Sequence, residues 1–227
     1  MIILHIETST NVCSVALSEN GNCIFSKSNA DGMNHAALLS VFIAEGLVVL
    51  KSTAKKLDAV AVSSGPGSYT GLRIGVSTAK GLCYGYNIPL IAVSTLEVLT
   101  VQALKTVSDT EALFCPMIDA RRMEVYAAFY NAKGVIQREI SADIIDSDSY
   151  TEILEKQAVF FFGNGADKCK TTLTHPNAFF IDNLVPLAEN MIAFAEKAFI
   201  EGNFVDVAYF EPFYLKEFQT ITPQKSI

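Results

Sequence analysis

Gly65-Pro66-Gly67-Ser68-Tyr69-Thr70-Gly71-Leu72-Arg73-Ile74-Gly75 decides how this chain reads, because it joins an apolar strand, Asp58 to Val62, to a helix through a rigid glycine turn. Gly65 and Gly67 can adopt backbone angles closed to other residues, Pro66 fixes the angle between them, and Ser68 is placed to cap the following helix. Two readings compete. A strand, a glycine turn and a helix N-terminus present free N–H groups and partial positive charge, which is how many proteins hold phosphate. Gly65, Gly67, Ser68 and Arg73 are then candidate nucleotide or anion contacts. Alternatively Gly71, Gly75 and Ala79, four apart, make a smooth ridge for close helix packing. A mid-helix glycine costs about 1 kcal/mol against alanine, so two on one face imply an offsetting contact. The stretch has neither a Gly-Lys-Ser/Thr ending nor Gly-x-Gly-x-x-Gly spacing, and helix packing is the simpler reading.

With 227 residues, half of them hydrophobic, the chain has apolar material for one large or two compact domains. A formal charge of −7 excludes it as a lone gripper of a nucleic-acid backbone, which needs a clustered basic surface. Five cysteines without a Cys-x-x-Cys pair fit a reducing compartment, so a cytoplasmic location is expected. Met1-Ile2-Ile3-Leu4-His5 lacks the features of a signal peptide, no uncharged apolar stretch is long enough to span a bilayer, and no membrane partner is expected.

Outward from the glycine turn, the first half reads as strands Ile2 to Ile6, Cys13 to Ser18 and Asn22 to Ser28, helix His35 to Leu50, strand Asp58 to Val62, helix Thr70 to Tyr84 and strand Leu90 to Ala92. From Leu113 the order starts again, with strands Leu113 to Ile118, Glu124 to Tyr130 and Val135 to Glu139. A short helix Tyr150 to Lys156, strands Val159 to Phe162 and Phe179 to Ile181, and helix Leu187 to Phe199 follow. Three meandering strands, then helix and parallel strand, done twice, is the α/β plan of two ribonuclease H-like domains in tandem, as in actin-like (ASKHA) proteins. The expected boundaries are 1–105 and 106–227, linked by Ser94 to Val107 with Ser94 and Glu97 as a capping box. The tail, 208–227, has no feature that assigns it to either domain.

Ile6-Glu7-Thr8-Ser9-Thr10, Cys13-Ser14-Val15-Ala16-Leu17, the Gly65 to Gly75 stretch and Asp119-Ala120-Arg121-Arg122-Met123-Glu124-Val125-Tyr126 together resemble the bacterial TsaB (YeaZ) family. The tail Glu211-Pro212-Phe213-Tyr214-Leu215-Lys216 resembles the family's closing Pro-x-Tyr-Leu-Arg, with lysine last, and Glu7 stands where the family's first strand usually ends in aspartate. The resemblance implies a non-catalytic scaffold and activator in forming threonylcarbamoyladenosine (t6A) at the tRNA adenosine 3′ of the anticodon. It further implies a heterodimer with the transferase TsaD, the ATPase TsaE as an additional partner, TsaC as source of threonylcarbamoyl-adenylate, and a homodimer when TsaD is absent. tRNA would be met only through the complex.

In TsaD-like enzymes a His-x-x-x-His pair binds the catalytic metal just after the strand that here is Leu90 to Ala92, and matching that pattern puts Thr95 and Leu99 at the two positions. A hydroxyl and an isobutyl group cannot replace two imidazoles, so no metal and no catalytic residue is assigned. His5, His35 and His175 are scattered, and His35 reads as a buried or capping residue. Asp119-Ala120-Arg121-Arg122 falls where actin-like ATPases carry a second phosphate loop, without its glycines. Arg121, like Arg73 and Arg122, reads as an anion contact or a surface ion pair. No cofactor is expected on this chain alone, while ATP or ADP has a place in the complex. The competing reading is an actin-like ATPase or small-molecule kinase acting alone, with Glu7 and Asp119 as carboxylates; a metallopeptidase lacks its ligands.

His35 to Leu50 carries one carboxylate, Glu45, and is apolar almost all round, so one face can cover its own sheet while the other needs a partner. The expected interface combines His35, Leu38, Leu39 and Phe42 with Gly71, Leu72, Gly75 and Ala79, and Gly75→Leu is expected to weaken docking without unfolding the chain.

Overall fold

The computed structural model describes residues 1–32, 34–52 and 54–215. Strands β1 (Ile2–Glu7), β2 (Cys13–Glu19), β3 (Asn22–Asn29), β4 (Ala59–Gly65) and β5 (Leu90–Ser94) form a first sheet in the order β3-β2-β1-β4-β5. Strands β6 (Leu113–Asp119), β7 (Glu124–Asn131), β8 (Ile136–Ile144), β9 (Val159–Phe162) and β10 (Ala178–Ile181) form a second, in the order β10-β9-β6-β7-β8. The two orders are the same plan. In each, the first three strands run antiparallel and the last two join parallel to the first. This is the tandem actin-like architecture. The β2–β3 hairpin turns at Asn20-Gly21, both at positive φ, as a tight two-residue turn requires.

Helices α1 (His35–Ser52) and α2 (Tyr69–Tyr86) cover one face of the first sheet. The period-2 alternation of β1 divides its side chains between two cores: Ile2, Leu4 and Ile6 pack beneath α1 and α2, while Ile3 faces the opposite side. By length and composition α1 could cross a membrane, yet its Leu39, Phe42, Ile43 and Leu50 are buried in the first core. Its Glu45 pairs with Lys27 of β3 at 2.5 Å.

The division at 105/106 needs correction. The 3-10 turn Ala188–Met191 and helix α5 (Ile192–Glu201) pack on the back of the first sheet, where Met191 and Ala195 join Ile3, Ala59, Ala61, Ile91 and Val93 in one core. The reason is that β1, β4 and β5 are apolar on both faces, and α1 and α2 can seal only one of them. The tail stays with the same lobe: Val205 bridges to Leu90, Val207 and Phe210 pack against the first core, and Lys80 Nζ donates to the carbonyls of Ala208 and Phe210 at 2.9 and 3.1 Å. Lys216 and the rest of the tail to 227 lie outside the described residues.

Helix α3 (Thr95–Thr106) is shared. Val98 reaches the first sheet's rear core, and Leu96, Leu99 and Ala103 pack with Phe114, Ile118, Tyr130 and Phe162 of the second sheet. Half of the expected capping box forms here: the Glu97 carboxylate accepts from the Ser94 backbone N–H, whereas the Ser94 hydroxyl makes no cap bond. The expected helix Tyr150 to Lys156 shrinks to α4 (Thr151–Leu154), and β8 extends five residues past the expected Glu139. All five cysteines are free thiols, four of them buried.

Candidate functional site

The glycine turn is built as a clamp on its own lobe. Ser68 caps α2, its hydroxyl accepting from Gly71 N–H at 3.2 Å, an arrangement worth about 1 kcal/mol. Ser68 N–H donates to the Ser9 carbonyl at 2.6 Å, and Thr8 Oγ donates to the Gly71 carbonyl at 2.8 Å. A β-carbon on Gly67 would lie 2.3 Å from the Ser9 carbonyl oxygen, one on Gly71 2.1 Å from that of Thr8, and one on Gly75 2.2 Å from Thr8 Oγ. The ridge therefore seats α2 on the loop after β1, which accounts for the cost of two mid-helix glycines. Gly65, at φ +107°, lets the tail approach: Phe213 N–H donates to Ser64 carbonyl at 2.7 Å.

That geometry corrects the expected interface. His35, Leu39, Phe42, Gly71, Leu72, Gly75 and Ala79 are all buried within the lobe, and Leu38 is half-buried against the first core. Leu39, Phe42 and Ala79 join the first core, while Gly71 and Gly75 abut Thr8 and Leu72 packs by Gly65. The uncovered residues lie on the opposite side of each helix. On α1 they include the stripe Ala37, Val41, Ala44 and Val48, spaced 4, 3 and 4, with Val41 48% and Val48 63% exposed. On α2 they include Ser77, Gly81, Tyr84 and Gly85; Tyr84 is 86% exposed, and β-carbons built on Gly81 or Gly85 would meet nothing within 4 Å.

The two lobes and the tail enclose a cleft of about 540 Å³. Ser9, Thr10, Gly67 and Ser68 form one wall, Asp119, Arg121, Tyr126 and Asn164 the other, and Phe213, Tyr214 and Leu215 close an end. Asn164 Oδ1 accepts from Asp119 N–H at 3.0 Å, so the Gly163-Asn164-Gly165 turn after β9 braces this rim. Asp119 is engaged by an ion pair with Lys168, which also donates to the Glu124 carbonyl at 2.7 Å. Arg121 and Arg122 turn at φ +71° and +47°, and Arg121 lines the cleft. Arg73 does not line it. Its Nε donates to Tyr214 Oη at 3.3 Å and its guanidinium lies 4.3 Å from the Tyr69 ring centre, with Tyr69 and Tyr214 themselves 5.1 Å apart. Arg73 is thus tied to the tail outside the cleft, and the tail is the wall that spacing arguments missed, although Pro212-x-Tyr214-Leu215 carried its signal.

Beneath the cleft, Glu7 is wholly buried and accepts from Ser9 N–H at 2.6 Å; burial pushes its carboxyl up to about 7. His5, two residues back, is also buried, 2.8 Å from Ser18 Oγ, and burial lowers it to about 3, leaving it neutral. Thr95 and Leu99 are fully buried, Leu99 against the second sheet. His35 is buried at the start of α1, and His175 Nδ1 accepts from Asn177 N–H at 3.1 Å. Among the described residues no three His, Cys, Asp or Glu groups converge to hold a metal ion.

The family model described as TsaD, tRNA N6-adenosine threonylcarbamoyltransferase, matches residues 30–209. The Escherichia coli K12 tRNA threonylcarbamoyladenosine biosynthesis protein TsaB is 31% identical over 222 residues, 95% of each chain. The chain belongs to the TsaB family. Bacillus subtilis TsaB is likewise 31% identical, over 72% of this chain and 71% of its own. The solved structure of YeaZ from Pseudomonas aeruginosa superposes with a TM-score of 0.74 at 27% identity, covering 94% of this chain and 99% of that one. These matches span both lobes of the chain.

Proposed function

We propose that this chain is a non-catalytic subunit for t6A formation on tRNA, docking on a TsaD-type transferase through the outward faces of α1 and α2. The observation that carries the reading is the uncovered face itself. Ala37, Val41, Ala44 and Val48 beside Ser77, Gly81 and Gly85 give small, apolar, closely approachable surface with no counterpart in the chain's own core. Removing such a patch from water gains about 25 cal/mol per Å², and small residues let helix axes come close. Because the face is presented by a helix pair, a related chain with the same pair can meet it about a pseudo-twofold axis, and a second copy of this chain could do so when the transferase is absent.

The accessory role is supported by Thr95 and Leu99, which cannot bind metal at the positions the family's enzymes use. Two features weigh against an independent ATPase or kinase: Asp119 is committed to Lys168, and Phe213 to Leu215 occupy one end of the cleft. Bound ATP or ADP is assigned to the assembled complex, with TsaE as the ATPase, and tRNA is met through the complex. Calorimetric titration of this chain with the TsaD-type protein of the same cell tests the reading. Saturable one-to-one binding, with t6A formation dependent on both chains, is expected; absence of binding, or metal-dependent transferase turnover by this chain alone, overturns it.

A further inference from the structure

We infer that the pocket at the shared C-terminal end of α1 and α2 receives an apolar side chain flanked by carboxylates, supplied by the protein that docks on the helix pair. This inference rests on the docking reading above. The pocket holds about 380 Å³ and is lined by Leu47, Leu50 and Leu57, with Gly85 and Tyr86 from α2. Leu50 and Leu57 are buried at its base, Tyr86 is half exposed, and Gly85 leaves the entrance open. That volume suits one large aliphatic or aromatic side chain.

Its rim is cationic. Lys51, Lys55 and Lys56 all line it, on a chain whose net charge is −7. Lys55 is paired with Glu19 at 2.5 Å, whereas Lys51 and Lys56 have no ion pair among the described residues. Lys51 in the last turn of α1 complements the helix dipole, but Lys56 lies beyond the helix end at Ser52 and gains nothing from it. Two uncompensated ammonium groups above a leucine floor fit carboxylates beside a hydrophobic anchor. A nucleic-acid strand asks for more: a track of cations along the backbone and aromatic faces for stacking, where this site offers one tyrosine. Gly85 both lines the pocket and belongs to the uncovered helix face, so the pocket adjoins that face.

The test uses the intact chain and its transferase partner at low and physiological salt. Lys51→Glu combined with Lys56→Glu should keep the circular dichroism of the parent yet weaken complex formation at least tenfold, more at low salt. Zero-length carbodiimide cross-linking of the parent complex, read by mass spectrometry, should join Lys51 or Lys56 to an Asp or Glu next to an apolar residue of the partner. If the parent complex forms, but the double variant binds equally and no such cross-link appears, the inference is overturned while the docking reading stands. Unchanged complex formation with weakened tRNA binding also overturns it, in favour of an RNA contact. Failure of the parent chains to associate overturns the docking reading, and this inference with it.

Discussion

Thr8 and Gly75 are in contact across the first lobe: a β-carbon on Gly75 would stand 2.2 Å from Thr8 Oγ, the same hydroxyl that donates to the Gly71 carbonyl. The expectation that Gly75 faces a partner is replaced by one about the lobe's own stability. Gly75→Ala should cost about 1–3 kcal/mol through overpacking, read as a lower midpoint in urea denaturation, with partner affinity of the folded protein unchanged. An unaltered midpoint with weakened association would return Gly75 to the interface.

On the outer side of the same helices the prediction reverses. Val41→Glu should leave the unfolding free energy within about 0.5 kcal/mol of the parent, as surface substitutions do, and Gly81→Leu, which gains helix propensity in open space, should raise it by up to about 1 kcal/mol. Each should weaken transferase binding at least tenfold, because one places a charge and the other bulk in a close helix contact. Sedimentation of mixed chains separates this from misfolding.

His5 and Glu7, neighbours on one face of β1, should oppose each other in the pH dependence of stability. Glu7, raised from 4.5 to about 7, contributes stability that is full below pH 4.5 and lost as pH rises through 7. His5, lowered from 6.5 to about 3, contributes stability present above pH 6.5 and lost as pH falls toward 3. Between pH 4.5 and 6.5 the two slopes cancel. Glu7→Gln should therefore uncover a rise of about 1.4 kcal/mol per pH unit across that window, measured by urea melts at a series of pH values. A flat profile in the variant would show that His5 does not titrate as burial requires.

Tyr214 holds the tail against the N-terminal end of α2 through Arg73 and Tyr69. Tyr214→Ala should release the Arg73 side chain and remove the ring contact with Tyr69, loosening the tail. Faster amide exchange at Phe213, whose N–H bonds Ser64, is the readout. Unchanged protection there would mean that Phe213 alone anchors the strap.

The strand order and both long helices were legible because alternation on β1, the Asn20-Gly21 turn and the Ser68 cap are local signals. What escaped depended on contacts distant in sequence. Gly71, Leu72 and Ala79 were assigned to a partner because periodicity marks a face without saying which neighbour meets it. The contact of Gly71 with Thr8, sixty-three residues away, decides that. The outward stripe of Ala37, Val41, Ala44 and Val48 carried a clear spacing, but small side chains give a weak amphipathic signal beside Leu39 and Phe42. In the cleft, Arg121 was visible as a candidate anion contact, whereas the tail wall required knowing which lobe Phe213 joins.

The placement of α5 behind the first sheet means that the earliest strands to leave the ribosome wait for almost the last helix. Until Met191 and Ala195 emerge, Ile3, Ala61 and Ile91 have only Val98 of α3 as cover, so the growing chain carries a largely open greasy flank through most of its synthesis. A chaperone holding nascent chains would find its handle there.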